Sequence, residues 1–150
     1  MEIRELRPHE RPAWRELRTL LWPAISDEGS AVSEREESEI LESPDRNAVL
    51  VADDGGRLVG FVEVALRDWA EGCRTRPVGY VEGWYVRPER RRAGVGRALI
   101  EAAERWTLSR GCTEIASDAE LSNALSHRAH AALGFTEIER LVAFAKRLRE

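Results

Sequence analysis

The chain has 150 residues, 43% of them apolar and 33% charged, with a formal net charge of −4. That describes one domain large enough for a real core, no apolar run approaches the roughly 20 residues that cross a bilayer, and the opening Met1-Glu2-Ile3-Arg4-Glu5 lacks the apolar core of an export signal. The acidic balance and a single lysine, Lys146, argue against nucleic acid, while Cys73, Cys112 and three scattered histidines suggest neither a disulfide framework nor a zinc site.

Glu2–Leu6 reads as a short first strand. Trp14, Leu17, Leu20 and Leu21 recur at helical spacing and predict a helix over Pro8–Leu21. Ser33-Glu34-Arg35-Glu36 has the form of a capping box opening a second helix that runs to about Leu41. Ala48–Ala52 and Leu58–Leu66 read as two strands joined by the turn Asp53-Asp54-Gly55-Gly56. A polar loop, Arg67–Arg76, leads to a central strand at Gly79–Val86. Val95, Leu99, Ala102, Ala103 and Trp106 share one face of a long helix that Gly111 ends. Thr113–Ser117 reads as a strand, Asn123–Leu133 as a helix closed by Gly134, and Thr136–Arg140 and Val142–Arg147 as two final strands. Trp14, Trp106 and Cys112 are expected in the core.

Between the central strand and the long helix lies Arg91-Arg92-Ala93-Gly94-Val95-Gly96-Arg97. A strand, a turn with two glycines and then a helix presents unpaired N–H groups and the positive end of a helix dipole, a site for phosphate. The plain alternative is a solvated basic turn. The stretch lacks the Gly-Lys-Ser/Thr ending of a P-loop and the third glycine of a dinucleotide fingerprint.

The stretch resembles the acetyl-CoA pyrophosphate loop of the GCN5-related N-acetyltransferase superfamily, Gln/Arg-x-x-Gly-x-Gly/Ala, with Arg91, Gly94 and Gly96 at its fixed positions. Asn123-Ala124-Leu125-Ser126 followed by Leu133-Gly134-Phe135 is similar to a second motif of that superfamily. Trp14-Arg15-x-Leu17-Arg18, Leu21-Trp22-Pro23, Glu71-Gly72-Cys73, Val81-Glu82-Gly83, Ala116-Ser117-Asp118 and Glu139-Arg140 narrow the resemblance to aminoglycoside 6′-N-acetyltransferases, over essentially the whole chain. The resemblance implies one acetyltransferase (GNAT) domain over residues 1–150, an α/β (α+β) fold with a mixed central sheet flanked by helices. It implies acetyl-CoA bound by Trp84, Tyr85, Val86, Arg91, Arg92, Ala93, Gly94, Val95, Gly96, Arg97 and Asn123, and no metal.

For the acceptor, the resemblance places Glu82, Asp118 and Glu139 as carboxylates, and Trp22 and Trp69 as aromatic walls. Three of these have a plainer reading. Glu82 fits a solvent-facing strand position, Asp118 a turn or cap before the next helix, and Trp22 packing at a helix end. Trp22 precedes Pro23 and an acidic loop with Asp27 and Glu28, a grouping suited to a polycationic sugar.

An amine must be neutral to attack a thioester, so Glu82 or Asp118 is the candidate base. A backbone N–H near Trp84–Val86 would polarise the thioester oxygen. His130 stands where the superfamily often has a tyrosine acid, although a helix histidine can equally be structural. The expected activity is acetylation of a primary amine of an aminoglycoside, which would confer antibiotic resistance, in the cytoplasm and without a membrane partner. The resemblance implies a homodimer, and Leu141-Val142-Ala143-Phe144-Ala145 offers an edge for it. The alternatives are another small amine, a protein N-terminus, or a module that binds acyl-CoA or aminoglycoside without turnover.

Overall fold

Nearly continuous apolar runs in the second and third strands, buried on both faces, form the centre of what is, among the described residues, a five-stranded sheet whose strands lie side by side in chain order. The computed structural model describes residues 1–23 and 30–149. The strands are β1 (Glu2–Glu5), β2 (Asn47–Asp54), β3 (Arg57–Arg67), β4 (Val78–Val86) and β5 (Ile115–Ser117). Neighbours are antiparallel except β4 and β5, which run parallel. A parallel pair needs a crossover, and α3 (Val95–Ser109) supplies it. The sheet is therefore mixed, as expected.

Two helices pack on the other face. A 3₁₀ turn at Pro8–Glu10 leads into α1 (Arg11–Leu21), and α2 spans Ser30–Leu41. Trp14 and Leu17 of α1 are fully buried against Val49, Val51, Leu58 and Phe61. On the α3 side, Val95, Leu99, Ile100 and Ala103 are buried. There Gly60 and Gly79 let α3 approach, because a Cβ would lie 3.2 Å from Leu99 Cδ1 and 2.3 Å from Thr107 Oγ1 respectively. Trp14, Trp106 and Cys112 are buried, as expected.

Two irregularities matter for the site. First, the β3–β4 register pairs Glu63 with Gly83 and Val64 with Val81, so Glu82 is an extra residue in β4. A bulge of this kind breaks strand alternation and re-aims a side chain. Second, the β4–β5 ladder covers only Gly79, Tyr80 and Val81 and ends at Ser117. Glu82–Val86 run past it, with β3 on one side only within the sheet.

Met1–Asp118 forms one compact unit and Ala119–Glu150 a second. In the second, Asn123 caps α4 (Ala124–Ala132) by accepting the Ser126 N–H at 3.1 Å.

Three local expectations change. The second helix starts at Ser30, not Ser33. Ser33 is inside it, buried, with its hydroxyl 3.3 Å from the Glu37 carboxylate instead of on the backbone. The strand expected at Thr113 is paired only from Ile115. Residues 135–149 contain no strand. A strand exists only where a ladder satisfies its N–H and C=O groups, and the described sheet has no partner for this segment.

Candidate active site

The end of β4, the turn after it and the start of α3 form one continuous feature. Pro88–Arg90 makes a 3₁₀ turn, Arg92 and Gly94 take left-handed backbone angles of 64° and 84° in φ, and α3 begins at Val95. Left-handed residues in a turn point successive N–H groups into a common concavity suited to an anion. The helix cap is Gly94, which has no side chain to satisfy the first-turn N–H groups. No atom lies within 4 Å of where a Gly94 Cβ would stand, so the space before the helix is open. Gly96 acts differently, since its Cβ would come 3.1 Å from the Trp84 indole, and glycine there lets α3 sit close on β4.

The arginines of this stretch divide their work. Arg91 donates from Nε to the Val86 carbonyl at 2.9 Å and lies over the Tyr85 ring. Arg90 pairs with Asp54, and Arg87 donates to the Leu58 carbonyl at 3.0 Å. These contacts tie the turn to the β2–β3 hairpin and hold its shape.

On the α1 side of the sheet a groove of about 480 Å³ opens between α1, α2, β3 and β4. Among the described residues, Arg18, Trp22, Glu36, Glu39, Glu63 and Glu82 line it, with four carboxylates and one cation. Trp22 sits against β4 at Gly83, where a Cβ would come 2.4 Å from its ring, and meets Phe61 edge-on at 6.4 Å. Beneath it, Arg18 is buried, donates to Glu63 at 2.7 Å, and lies 5.2 Å from the Trp22 ring centroid. Trp14 Nε1 also donates to Glu63, at 3.0 Å. Burial pushes the Glu63 carboxyl up, against the pull of Arg18 and Trp14.

The wall behind the groove is braced by Glu37 of α2. It is fully buried and accepts from Arg15 at 2.7 and 2.8 Å and from Arg11 at 2.8 Å. Burial raises that carboxyl's pKa, but the two guanidinium groups outweigh it and leave the group below its ordinary value.

Glu82, brought onto this face by the bulge, accepts two hydrogen bonds from Arg67, at 2.6 and 2.9 Å. Arg67 stacks on Tyr80 at 3.5 Å, and Tyr80 Oη donates to Asp118 at 2.6 Å. The two expected carboxylates are thus joined through a cation and a phenol. Burial and the Asp118 hydrogen bond push the Tyr80 phenol well above its ordinary value, so it keeps its proton.

Trp22 and Glu82 therefore share one groove, and Asp118 joins them through Tyr80 and Arg67. Trp69 is 54% exposed, outside the groove lining. In the second unit, His130 donates from Nδ1 to the Ser126 carbonyl at 2.7 Å and meets Phe135 edge-on, while Glu139 is exposed. Asn123 uses its side-chain oxygen as the helix cap. Asp27 and Glu28 lie outside the described residues.

Sequence reasoning passed over Arg18, Glu63, Arg67, Tyr80, Glu36 and Glu39. Two of these left a signal. Glu63 interrupts the apolar run Val59–Leu66, and Arg18 continues the apolar stripe of Trp14 and Leu17. A charge in such a place needs a buried partner.

Several known proteins are similar to this chain over most of its length. An aminoglycoside N(6')-acetyltransferase type 1 of Stenotrophomonas maltophilia is 41% identical over 143 residues, covering 95% of this chain and 90% of the relative. The crystal structure of the aminoglycoside 6'-N-acetyltransferase AAC(6')-IG of Acinetobacter haemolyticus matches with a TM-score of 0.85 and 37% identity, over 99% of this chain and 100% of that one. AAC(6')-Iy, solved with the bisubstrate analogue CoA-S-monomethyl-acetylneamine, matches with a TM-score of 0.89 and 36% identity, over 97% of each chain. Residues 13–135 match the family model described as the Acetyltransferase (GNAT) family. That match takes in the β4 bulge, the turn at Gly94 and α4 alike, and on it this chain belongs to the acetyltransferase (GNAT) family.

Proposed function

We propose that this chain transfers an acetyl group from acetyl-CoA to the 6′-amine of an aminoglycoside, and so confers resistance to it. The observation that carries the reading is the groove at the β4 bulge, where Trp22, Glu36, Glu39 and Glu82 line a space above the buried Arg18–Glu63 pair, beside the end of β4 that β5 does not reach. The full-length similarity to aminoglycoside 6'-N-acetyltransferases supports it.

Acetyl-CoA supplies an acetyl group activated as a thioester. The chain fits it at two places. Arg91–Arg97, with the open cap at Gly94, suits the pyrophosphate. The Trp84–Val86 backbone, past the end of β5, suits the acyl end, where an N–H would stabilise the oxyanion. Glu82 holds the acceptor's ammonium, and either Glu82 or Asp118 takes its proton, because only the neutral amine has a lone pair to attack with; the new N–C bond would form as the thioester C–S bond breaks, and the thiolate would leave as the CoA thiol once protonated. Tyr80 fixes the Asp118 carboxylate. Trp22 stacks on a sugar ring, and Glu36 and Glu39 receive further ammonium groups of the same molecule. By similarity to the family alone, Trp69 and Glu139 are acceptor contacts and Asn123 is a cofactor contact, while His130 lies on α4. The Ser126 carbonyl at Nδ1 orients the His130 ring, and Nε2 is the nitrogen through which it would act as the acid.

The two units work as one domain, a reading supported by the family match that runs across both. The active form is a homodimer. Supporting this, Val142 is 69% and Phe144 92% exposed in a segment with no strand partner of its own, an arrangement that a second copy would relieve. The free thiols of Cys73 and Cys112 suit a cytoplasmic location.

The test is release of CoA thiol with a panel of amines. Turnover is expected with aminoglycosides carrying a 6′-amine and none with those carrying a 6′-hydroxyl. Turnover with polyamines or peptides alone would overturn the assignment. Sedimentation at micromolar concentration checks the dimer: a fully active 17 kDa species would rule it out.

A further inference from the structure

Glu82 is already engaged by a cation of its own chain. Arg67, at the end of β3, donates from Nε to Glu82 Oε2 and from Nη2 to Glu82 Oε1, so one guanidinium fork covers both carboxylate oxygens. These are the atoms an incoming ammonium needs. The pair is also separable. The Arg67 side chain is 44% exposed and the Glu82 side chain 32%, so water screens their attraction. Arg67 also has a second partner at the same time, since its guanidinium lies 3.5 Å from the centroid of the Tyr80 ring, whose hydroxyl is anchored on Asp118, a contact that does not depend on Glu82.

We propose that Arg67 is an internal stand-in for the acceptor's ammonium: it occupies Glu82 in the free enzyme and gives the carboxylate up when a cationic amine binds. The inference rests on the assignment of Glu82 to the acceptor made above. Its consequence is a competition. Part of the attraction between amine and Glu82 is offset by the loss of the Arg67 pair, so Arg67 weakens apparent acceptor affinity although it lies beside the site. A residue that merely supported Glu82 would have the opposite effect.

Steady-state kinetics with kanamycin as acceptor and saturating acetyl-CoA decides between them, using wild type, Arg67→Gln, Glu82→Gln and the double variant. Melting curves and acetyl-CoA affinity report folding. Arg67→Gln is expected to lower the kanamycin KM by about two- to fivefold, the scale of one partly exposed ion pair. Glu82→Gln is expected to raise it, and in the Glu82→Gln background the effect of Arg67→Gln should vanish. Arg67→Lys keeps the charge but loses the fork, so a smaller decrease is expected, and it carries the test if Arg67→Gln does not fold. A higher KM in the Arg67 variants would overturn the proposal and make Arg67 a support. An equal decrease in both backgrounds would also overturn it, leaving only general repulsion between cations. An unchanged KM in Glu82→Gln would instead reject the assignment of Glu82, and the proposal with it.

Discussion

The Trp22 indole fills the space that a side chain at Gly83 would take, with Cη2 only 2.4 Å from where a Gly83 Cβ would stand. The bulge at Glu82 puts these neighbours, Glu82 and Gly83, on the same face of β4, so one carries the charge and the other seats the aromatic ring. Gly83→Ala must therefore move Trp22 off the strand. We expect a loss of about 1–3 kcal/mol in stability, as for other overpacked sites. The KM for an aminoglycoside should rise while acetyl-CoA affinity holds. Calorimetry and steady-state kinetics on the same preparation check both; an unchanged acceptor KM would separate Trp22 from the acceptor.

Below Trp22, the buried Arg18–Glu63 pair is costly to break and replaceable as a whole. Glu63→Gln leaves the buried guanidinium with only the longer contact to Glu36, at 3.5 Å, for which a loss of about 3 kcal/mol is expected. Arg18→Met leaves the carboxylate uncompensated and should cost a similar amount. The double variant Arg18→Met/Glu63→Leu removes both charges and should recover a large part of the loss. Urea unfolding measures all three. Additive losses in the double variant would show that the two charges do not act as a pair.

Much of the turn proposed for the cofactor was legible from the residues. The change from strand to helix periodicity at Arg91–Arg97 brackets two glycines, and one of them, Gly94, does have a positive φ at the head of α3. The acceptor side was less so. A bulge depends on which partner residue each strand residue meets, and nothing in Val81-Glu82-Gly83 states that Val64 and Glu63 will straddle Glu82. Arg67 reads as the first residue of a polar loop, yet β3 includes it and aims it at Glu82. Arg18 and Glu63 were readable as charges inside apolar patterns and were passed over. The capping box at Ser33 matched its pattern, but a buried carboxylate four residues on claimed the hydroxyl. The apolar run near Val142 has strand composition, and composition does not supply the neighbour that makes a strand.

Acid should loosen the entry to α1. Arg4 on β1 donates to Glu10 at 2.6 and 2.8 Å and to Asp53 at 2.9 Å, joining the sheet to the 3₁₀ turn. The hydrogen bonds from Arg4 hold the Glu10 carboxyl at about 2, against an ordinary value of 4.5. Asp53 is lowered for the same reason. A carboxyl depressed in the folded state adds stability that is complete above the unfolded pKa and disappears as pH falls through the folded one. Glu10→Gln should thus cost about 1 kcal/mol at pH 7, and the gap to wild type should close between about pH 5 and pH 2. Melting temperatures across that range test it; a gap independent of pH would show that the pair adds nothing through its charge.

At Gly94 the question is whether charge or shape matters before α3. Aspartate and asparagine both tolerate left-handed backbone better than other side chains. At this position neither meets an atom within 4 Å of its Cβ, so neither clashes with the protein. Both substitutions should leave a folded chain, at a backbone cost shared by the two. They differ in what they present to a phosphate. Aspartate brings a negative charge to the N–H groups and helix dipole that would otherwise face the pyrophosphate, whereas asparagine brings only bulk. Gly94→Asp is therefore expected to weaken acetyl-CoA binding at least about tenfold more than Gly94→Asn, or about 1.4 kcal/mol. Titration calorimetry measures the two affinities, and the difference should shrink as salt screens the charges. Equal affinities would mean that no phosphate sits at the head of α3, and Arg91–Arg97 would then be a surface turn.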